Sequence, residues 1–289
     1  MSIMAVDINK KMITVQGINI QCFDAGNGVA TIVLLHGAGV DSAMMSWAEV
    51  IRLLGENYRV IAPDLPGYGG SDSIDGEYTL EFYTETVKGI IEAFQCPPVV
   101  LVGLSLGGGI SLNMALNYPG LIRLLVPVDA WGLFPKLPYH RLTHWYTRSK
   151  LNDNLYQWTG KYPAIVRWSL AYNLFGDKSK VTEALVEEVR DGMLEPEAGK
   201  PFISFQRSEI TRTGLHTDLY SRLGEIAMPT LLIHGSKDKA VPLKDALAAS
   251  KLIPNCQLHI MEGCRHWPQK ERPEEFARVV GDFIAGQNL

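Results

Sequence analysis

The sequence has only four cysteines, and none of them has the spacing of metal ligands. His140 and His144 are four residues apart, but the glutamate of an HExxH motif is missing. No CxxC pair occurs, so neither a zinc site nor a disulfide framework is indicated, and we expect reduced thiols and no bound metal. The four cysteines are Cys22, Cys96, Cys256 and Cys264.

Nucleotide-binding motifs are also lacking. No GxxxxGK[ST] loop occurs, and the three glycines at residues 107–109 do not complete a GxGxxG pattern. The sequence therefore predicts that no cofactor is needed.

The chain has no excess of positive charge and no long apolar run. Lys and Arg total 27 against 31 Asp and Glu, a net charge of -4, which gives no reason to expect a nucleic-acid partner. The strongly apolar runs at residues 30–35 and 99–104 are far shorter than the roughly 20 residues of a bilayer span. Residues 1–12 carry charges without the apolar stretch of a secretory signal. We expect a cytoplasmic protein with no membrane partner.

The apolar residues that are present alternate with helix-like segments. A hairpin is predicted at residues 11–15 and 18–23, and continuous apolar runs follow at positions typical of strands buried on both faces. Segments with helical spacing lie between the first four of these runs, at residues 42–54, 80–94 and 105–117. This alternation of strands and helices predicts a parallel sheet. The predicted strands are 31–35, 59–62, 99–103, 121–128, 230–234 and 257–261.

A long insertion interrupts this pattern. Between the fourth and fifth of these runs lie about a hundred residues with helical spacing that hold four of the six tryptophans. We interpret residues 1–130 and 229–289 as the core domain and 131–228 as a helical cap over an apolar cavity, because aromatic side chains seek apolar partners. A helical subdomain packed only on itself is the alternative.

The motif GLSLG at residues 103–107 stands where a buried strand passes into a helix. Its glycines allow the serine to occupy a tight turn that exposes the hydroxyl at a helix N-terminus. Ser105 is therefore predicted to be a nucleophile. A serine that merely caps the helix is the alternative.

A serine nucleophile needs a base, and the base needs an acid that orients it. Asp238 and His266 follow the last two predicted strands, so both lie at the edge of the sheet that carries Ser105. The predicted triad is Ser105, Asp238 and His266. Asp129, just after the fourth run, is the alternative acid.

The loop after the first core strand is predicted to bind the oxyanion. Its sequence, His-Gly-Ala-Gly at residues 36–39, can turn backbone amides into the cleft, and the Ala38 and Leu106 amides are the predicted donors. His36 itself is interpreted as a structural residue. The predicted substrate contacts are Gly37, Gly39, Trp131 and Trp267.

Together these residues resemble the α/β-hydrolase superfamily. The resemblance covers nearly the whole chain: HGAG at 36–39, DLPGYGGS at 64–71, the GLSLG motif, Asp238 and His266. It implies an eight-stranded, mostly parallel sheet with helices on both faces and a helical cap after the sixth strand. A serine in the GLSLG motif, where dehalogenases and epoxide hydrolases carry aspartate, argues against both of those branches.

The cap position and the tryptophan after His266 look like the meta-cleavage product hydrolases and related carboxylesterases. The chain departs from the carbon–carbon hydrolases at Leu104, where asparagine is usual, and at residues 38–40, where a longer glycine run is usual. We therefore expect a serine hydrolase of small or medium carboxylic esters, present as a monomer or homodimer. The alternatives are a carbon–carbon bond hydrolase, in which Arg190 would bind a substrate carboxylate, a lactonase, and a non-enzymatic ligand receptor.

Overall fold

A computed structural model describes residues 6–96 and 98–287. Residues 1–5 of the amino-terminal segment therefore lie outside the described residues. The sheet has eight strands in the order β1-β2-β4-β3-β5-β6-β7-β8. The strands are β1 Ile8–Val15, β2 Ile18–Ala25, β3 Thr31–Leu35, β4 Arg59–Pro63, β5 Val99–Leu104, β6 Ile122–Val128, β7 Thr230–Gly235 and β8 Cys256–Met261.

Within the described residues, twelve α-helices accompany the sheet. Three short 3₁₀ turns lie at Pro119–Leu121, Lys178–Lys180 and Leu223–Glu225, and a π-helical turn at Leu170–Leu174 continues the sixth helix. The helices are α1 Ala43–Gly55, α2 Leu80–Ala93, α3 Leu106–Asn117, α4 His140–Thr147, α5 Lys150–Gly160, α6 Pro163–Ser169, α7 Glu183–Leu194, α8 Lys200–Glu209, α9 Leu219–Arg222, α10 Leu243–Ala249, α11 Pro268–Glu271 and α12 Pro273–Ala285.

The predicted fold is confirmed, because the sheet is mostly parallel and carries helices on both faces. Among the strands of this sheet, as far as the chain is described, only β1 with β2 and β2 with β4 pair antiparallel. The predicted hairpin is present, with Gln16 and Gly17 both at positive φ, the combination that lets a two-residue turn follow the twist of its strands. β6 begins one residue later than predicted, because Leu121 belongs to a 3₁₀ turn.

Each face of the sheet has its own apolar core. Along β5, Val100, Val102 and Leu104 belong to one core cluster, while Val99 and Leu101 belong to the other. This period of two is that of a strand buried on both faces. Helices α1 and α12 cover the first face, and α2 and α3 cover the second. A strand between two cores is rigid, so it is a firm base for the residues that follow it.

The parallel strands end at one edge of the sheet. Leu35 of β3 pairs with Gly103 of β5, and Leu104 pairs with Val128 of β6. Gly235 of β7 pairs with Met261 of β8. The loops that follow these strands therefore meet at this edge, and helices α4 to α9, all between β6 and β7, belong to the chain that leaves it. The division into a core and a cap at residues 131–228 remains our proposal.

The passage from β5 to α3 is unusually close. A side-chain carbon added at Gly103 would lie 2.1 Å from the Gly107 carbonyl oxygen, and one added at Gly107 would lie 2.5 Å from the Leu35 carbonyl oxygen. Ser105 between them has φ +52°, a left-handed conformation that L-residues seldom adopt. Only glycine fits at 103 and 107, since any other residue would push strand and helix apart.

Within residues 6–96 and 98–287, no helix is both long and apolar enough to cross a bilayer. All four cysteines lie in this part of the chain and carry free thiols, and burial raises the pKa of Cys22 and of Cys264 to about 12. These two thiols are therefore protonated at neutral pH.

The close passage at Gly103 gives a stability test. Gly103→Ala should lower the free energy of unfolding by about 1–3 kcal/mol, because its methyl group would overlap backbone that cannot move aside. Gly120→Ala is the matched control: no atom lies within 4 Å of its added carbon, so we expect a change below about 1 kcal/mol. Urea unfolding measures both, and equal effects would show that the β5–α3 passage is not tightly constrained.

Candidate active site

A cavity of about 410 Å³ lies between the sheet edge and the helical segment. Ser105 and His266 both line it. So do the residues predicted to bind the oxyanion or the substrate, which are Gly37, Ala38, Gly39, Leu106, Trp131 and Trp267. Asp238 is not in the lining, because it lies behind the His266 ring. The structure thus brings all the predicted site residues together.

Helices α5 to α8, with the π-helical turn after α6, supply much of the remaining lining, which the sequence did not single out; Val40, Phe134, Ala240 and Val241 complete it. The polar members are Tyr156, Thr159, Ser169 and Asn173. The apolar members from this part of the chain are Leu155, Val166, Leu170, Leu174, Val189, Met193, Phe202 and Phe205. The aromatic content of the insertion indicated a cavity, but helical spacing alone cannot show which side chains face it.

His266 is held by a buried carboxylate. Its Nδ1 lies 2.8 Å from Oδ2 of Asp238. The other carboxylate oxygen accepts the N–H groups of Ala240 and Val241 at 2.7 and 3.2 Å. Burial alone would raise the pKa of Asp238, but the His266 ring and these hydrogen bonds hold the pKa below its ordinary value. Asp238 therefore stays ionised and can fix the orientation of the ring.

Ser105 stands at the start of α3, with its hydroxyl at the cavity. Within the described residues no hydrogen bond joins its Oγ to His266. Such contacts are often long without substrate and shorten when substrate binds. The N-terminal end of α3 favours negative charge beside Ser105.

Asp129, the alternative acid, has a different position. It follows β6 at φ +42° and is fully buried, and its Oδ1 accepts the Gly235 N–H at 2.9 Å. The structure places Asp238, and not Asp129, against His266. Burial and the charge of Asp238 raise the pKa of Asp129 well above its ordinary value.

The neighbouring His234 also indicates that Asp129 carries a proton. Nε2 of His234 lies 2.9 Å from the Val241 carbonyl, which can only accept, so Nε2 must hold a hydrogen. Burial lowers the pKa of His234, which leaves Nδ1 a bare acceptor 3.1 Å from Oδ1 of Asp129. Two bare acceptors would repel each other. A protonated Asp129 removes this repulsion, and the two aspartates then share one negative charge.

Asp129, His234 and Asp238 also come within metal-binding distance of one another. The protein itself occupies most of their ligand atoms, however. Both oxygens of Asp238 accept hydrogen bonds, and Nε2 of His234 is engaged by Val241. This arrangement is better explained as a hydrogen-bonded network than as a cation site.

The other histidine pair noted in the sequence is His140 and His144. Nε2 of His140 lies 2.8 Å from the Thr211 carbonyl oxygen.

The loop after β3 is fixed by a residue that the sequence did not reveal. Asp41 is buried and accepts the Gly37 N–H at 2.8 Å and the Ser46 hydroxyl. His36 accepts the Leu65 N–H at Nε2, so it is structural, as interpreted from the sequence. The N–H groups of Ala38 and Leu106 have no protein acceptor within residues 6–96 and 98–287. Both can therefore donate to an oxygen placed beside Ser105.

No lysine or arginine is among the described residues that line the cavity. Arg190 lies on α7 beside Val189, which does line it, but the guanidinium pairs with Glu187 and lies 3.7 Å from Asp191. Its role toward a substrate carboxylate stays a prediction.

The protonated state of Asp129 can be tested by Asp129→Asn, which keeps the shape without the charge. Above about pH 4, the Asp129 carboxyl keeps its proton in the folded protein but loses it in the unfolded chain. Loss of the proton favours the unfolded chain, so this carboxyl makes the wild type less stable as the pH rises. The variant should therefore keep its activity and gain stability, and the gain should be larger at pH 8 than at pH 5 in urea unfolding. A loss of about a thousandfold in kcat or more would mean that an ionised Asp129 is required.

The comparison with known proteins agrees with this geometry. The sequence pattern described as "Alpha/beta hydrolase family" matches residues 32–279. A 2-hydroxy-6-oxononadienedioate/2-hydroxy-6-oxononatrienedioate hydrolase of Cupriavidus pinatubonensis is 34% identical over 276 residues, 92% of this chain and 90% of the relative. A 2-hydroxy-6-oxo-6-phenylhexa-2,4-dienoate hydrolase of Burkholderia cepacia is 33% identical over 293 residues, 97% of this chain and 95% of the relative.

Among solved structures, a meta-cleavage product hydrolase from Pseudomonas fluorescens IP01 superposes with a TM-score of 0.80 at 28% identity, covering 97% of this chain and 98% of that one. The match spans the core and the helical segment alike. By sequence and by structure, this protein is a hydrolase and belongs to the α/β hydrolase family.

Proposed function

We propose that the protein hydrolyses a carbon–carbon bond in a vinylogous diketone acid of the meta-cleavage product type. The observation that carries the proposal is similarity over more than nine-tenths of the chain to hydrolases of such acids, together with a buried His266–Asp238 pair in the cavity that Ser105 lines. This reading replaces the ester hydrolase expected from the sequence as the first candidate.

In the proposed reaction Ser105 is the nucleophile and His266 the base. His266 removes the Ser105 proton while Oγ attacks the ketone carbon of the substrate. The electrons of the C=O double bond move to oxygen, and the Ala38 and Leu106 amides donate hydrogen bonds to this oxyanion. Asp238 stabilises the positive charge on the ring.

The oxyanion then collapses and the adjacent carbon–carbon bond breaks. This step takes place in the diketone tautomer of the substrate, which a dienol forms by moving its hydroxyl proton to C5. The electron pair of the broken bond then moves into the conjugated keto acid, which spreads the charge, and that fragment takes up a proton that His266 can return. The other fragment remains as an ester on Ser105. Water, activated by His266, hydrolyses this ester and restores the serine. The sum is one water consumed, with one carboxylic acid and one dienol acid released.

The substrate carboxylate requires its own partner in this cavity. Ser169, Asn173 and Tyr156 offer uncharged donors within the lining. Arg190, one residue from the lining on α7, is the proposed cation, and it would have to exchange Glu187 for the substrate. Because Arg190 is about one-third exposed, that exchange breaks only a surface ion pair.

Ester hydrolysis is the second candidate, and two observations favour it. The described lining contains no cation, and Leu104 precedes the nucleophile where the carbon–carbon hydrolases usually have asparagine. The same acyl-enzyme chemistry serves both bonds. The small-molecule substrate, the cytoplasmic location and the monomeric or homodimeric state remain predictions.

A comparison of two substrates decides between the candidates. We expect kcat/KM for 2-hydroxy-6-oxo-6-phenylhexa-2,4-dienoate to exceed that for 4-nitrophenyl butyrate. Loss of dienoate absorbance measures the first reaction, and release of nitrophenolate measures the second. In Ser105→Ala, kcat for the preferred substrate should fall by roughly a millionfold, as triad removal can cause. Ester turnover without dienoate turnover would contradict the carbon–carbon proposal, and unchanged turnover in Ser105→Ala would exclude Ser105 as the nucleophile.

Arg190→Ala tests the carboxylate partner separately. Loss of a charge-assisted hydrogen bond should raise KM for the dienoate by about 10–100-fold and leave KM for the uncharged ester unchanged. Glu188→Ala, exposed on the same helix, is the matched control and should change neither value. An equal rise for both substrates would assign Arg190 a structural role.

A further inference from the structure

Large apolar side chains are exposed mainly in one stretch of the chain. Of thirteen such side chains among the described residues, nine lie between positions 139 and 172. Single exposed apolar residues are ordinary on a protein surface, whereas contiguous apolar patches mark interaction sites. Neither the triad nor the oxyanion donors lie in this stretch.

The most regular part of the stretch runs along α5. Leu151, Leu155 and Trp158 are spaced by four and three residues, which places them within an arc of about 60° on one helix face. The ring of Tyr162, just beyond the helix, lies 5.5 Å from that of Trp158 and extends the row. We call these four residues the α5 ridge. Their exposed fractions are 62%, 37%, 52% and 48%.

The α5 ridge lies at the rim of the cavity. Leu155 belongs to the ridge and also lines the cavity, while Tyr156 and Thr159 on the adjacent face of α5 point inward. Whatever covers the ridge therefore lies next to the lining of the cavity.

The stretch of sequence that carries the ridge is positive although the chain as a whole is negative. Residues 139–172 contain five Lys and Arg and one acid, Asp153, a net charge of +4 in a chain of -4. Lys150 and Lys161, both exposed, flank the ridge at its two ends. Asp153 pairs with Arg207, and Arg167 pairs with Glu183, so these two charges are compensated. The net positive charge is supplied by Arg141, Arg148, Lys150 and Lys161.

We propose that the α5 ridge docks on an anionic lipid surface. A bilayer of this kind offers negative headgroups to Lys150 and Lys161 and an apolar layer to Leu151, Trp158 and Tyr162. A second copy is disfavoured, because a two-fold interface through the same face would bring two stretches of charge +4 together. This surface is independent of the proposed function. It revises the expectation of no membrane partner, which rested on the lack of an apolar run long enough to span.

Vesicle sedimentation tests the proposal with the full chain. We expect binding to equimolar phosphatidylcholine and phosphatidylglycerol, much weaker binding to phosphatidylcholine alone, and release at about 1 M salt, where the screening length falls to about 3 Å. Tryptophan emission should shift to shorter wavelength on binding, as exposed indoles enter an apolar layer.

Two ridge variants and two controls make the test specific. Trp158→Ser, and Lys150→Glu combined with Lys161→Glu, should each weaken vesicle binding by at least about tenfold. Leu247→Ser and Lys251→Glu change an exposed apolar and an exposed basic residue on the core instead, and should bind as the wild type does. Circular dichroism checks folding, and the charge-reversal variant decides the matter where the tryptophan variant fails to fold.

Three results would overturn the proposal. One is failure of the wild type to sediment with anionic vesicles. Another is equal weakening by the ridge and control variants, which would show binding by overall charge. The third is a wild-type dimer in sedimentation velocity that Trp158→Ser dissociates without any vesicle binding, which would make a second copy the occupant.

Discussion

The tight passage from β5 to α3 is the constraint around which the candidate site is built. A central strand buried on both faces ends at Leu104, and the helix starts at Leu106, so a single residue must reverse the chain. Ser105 does so in a left-handed conformation that costs free energy, and the cores on both faces of the sheet compensate that cost. In return, the hydroxyl, the Leu106 amide and the end of α3 acquire one fixed geometry.

Behind His266, the carboxyl groups of Asp129 and Asp238 are buried beside each other. Two ionised carboxylates at this depth would repel and lack solvation. A proton on Asp129 leaves a single charge, and that charge lies on Asp238 beside the imidazole. His234 lies beside this pair, with Nε2 at the Val241 carbonyl and Nδ1 3.1 Å from Oδ1 of Asp129.

Much of the fold could be predicted from the sequence because its signals are local. Continuous apolar runs give the strands of the sheet, and GLSLG at a strand-to-helix junction gives the position of Ser105. Which aspartate contacts His266 is less secure from sequence, since Asp129 and Asp238 both follow parallel strands and only their positions in space separate them. Asp41 and the lining of α5 to α8 escape sequence analysis altogether, because their roles depend on contacts between distant parts of the chain.

Because of the insertion between β6 and β7, the residues of the candidate site are synthesised at different times. A ribosome completes the turn at Ser105 early, but it must then make the whole helical segment before β7 and β8 can add Asp238 and His266. Until then the edge of β6 that β7 will cover stays unpaired, and such edges invite association with other chains. The segment that carries Ser105 is therefore synthesised well before the strands that complete the sheet.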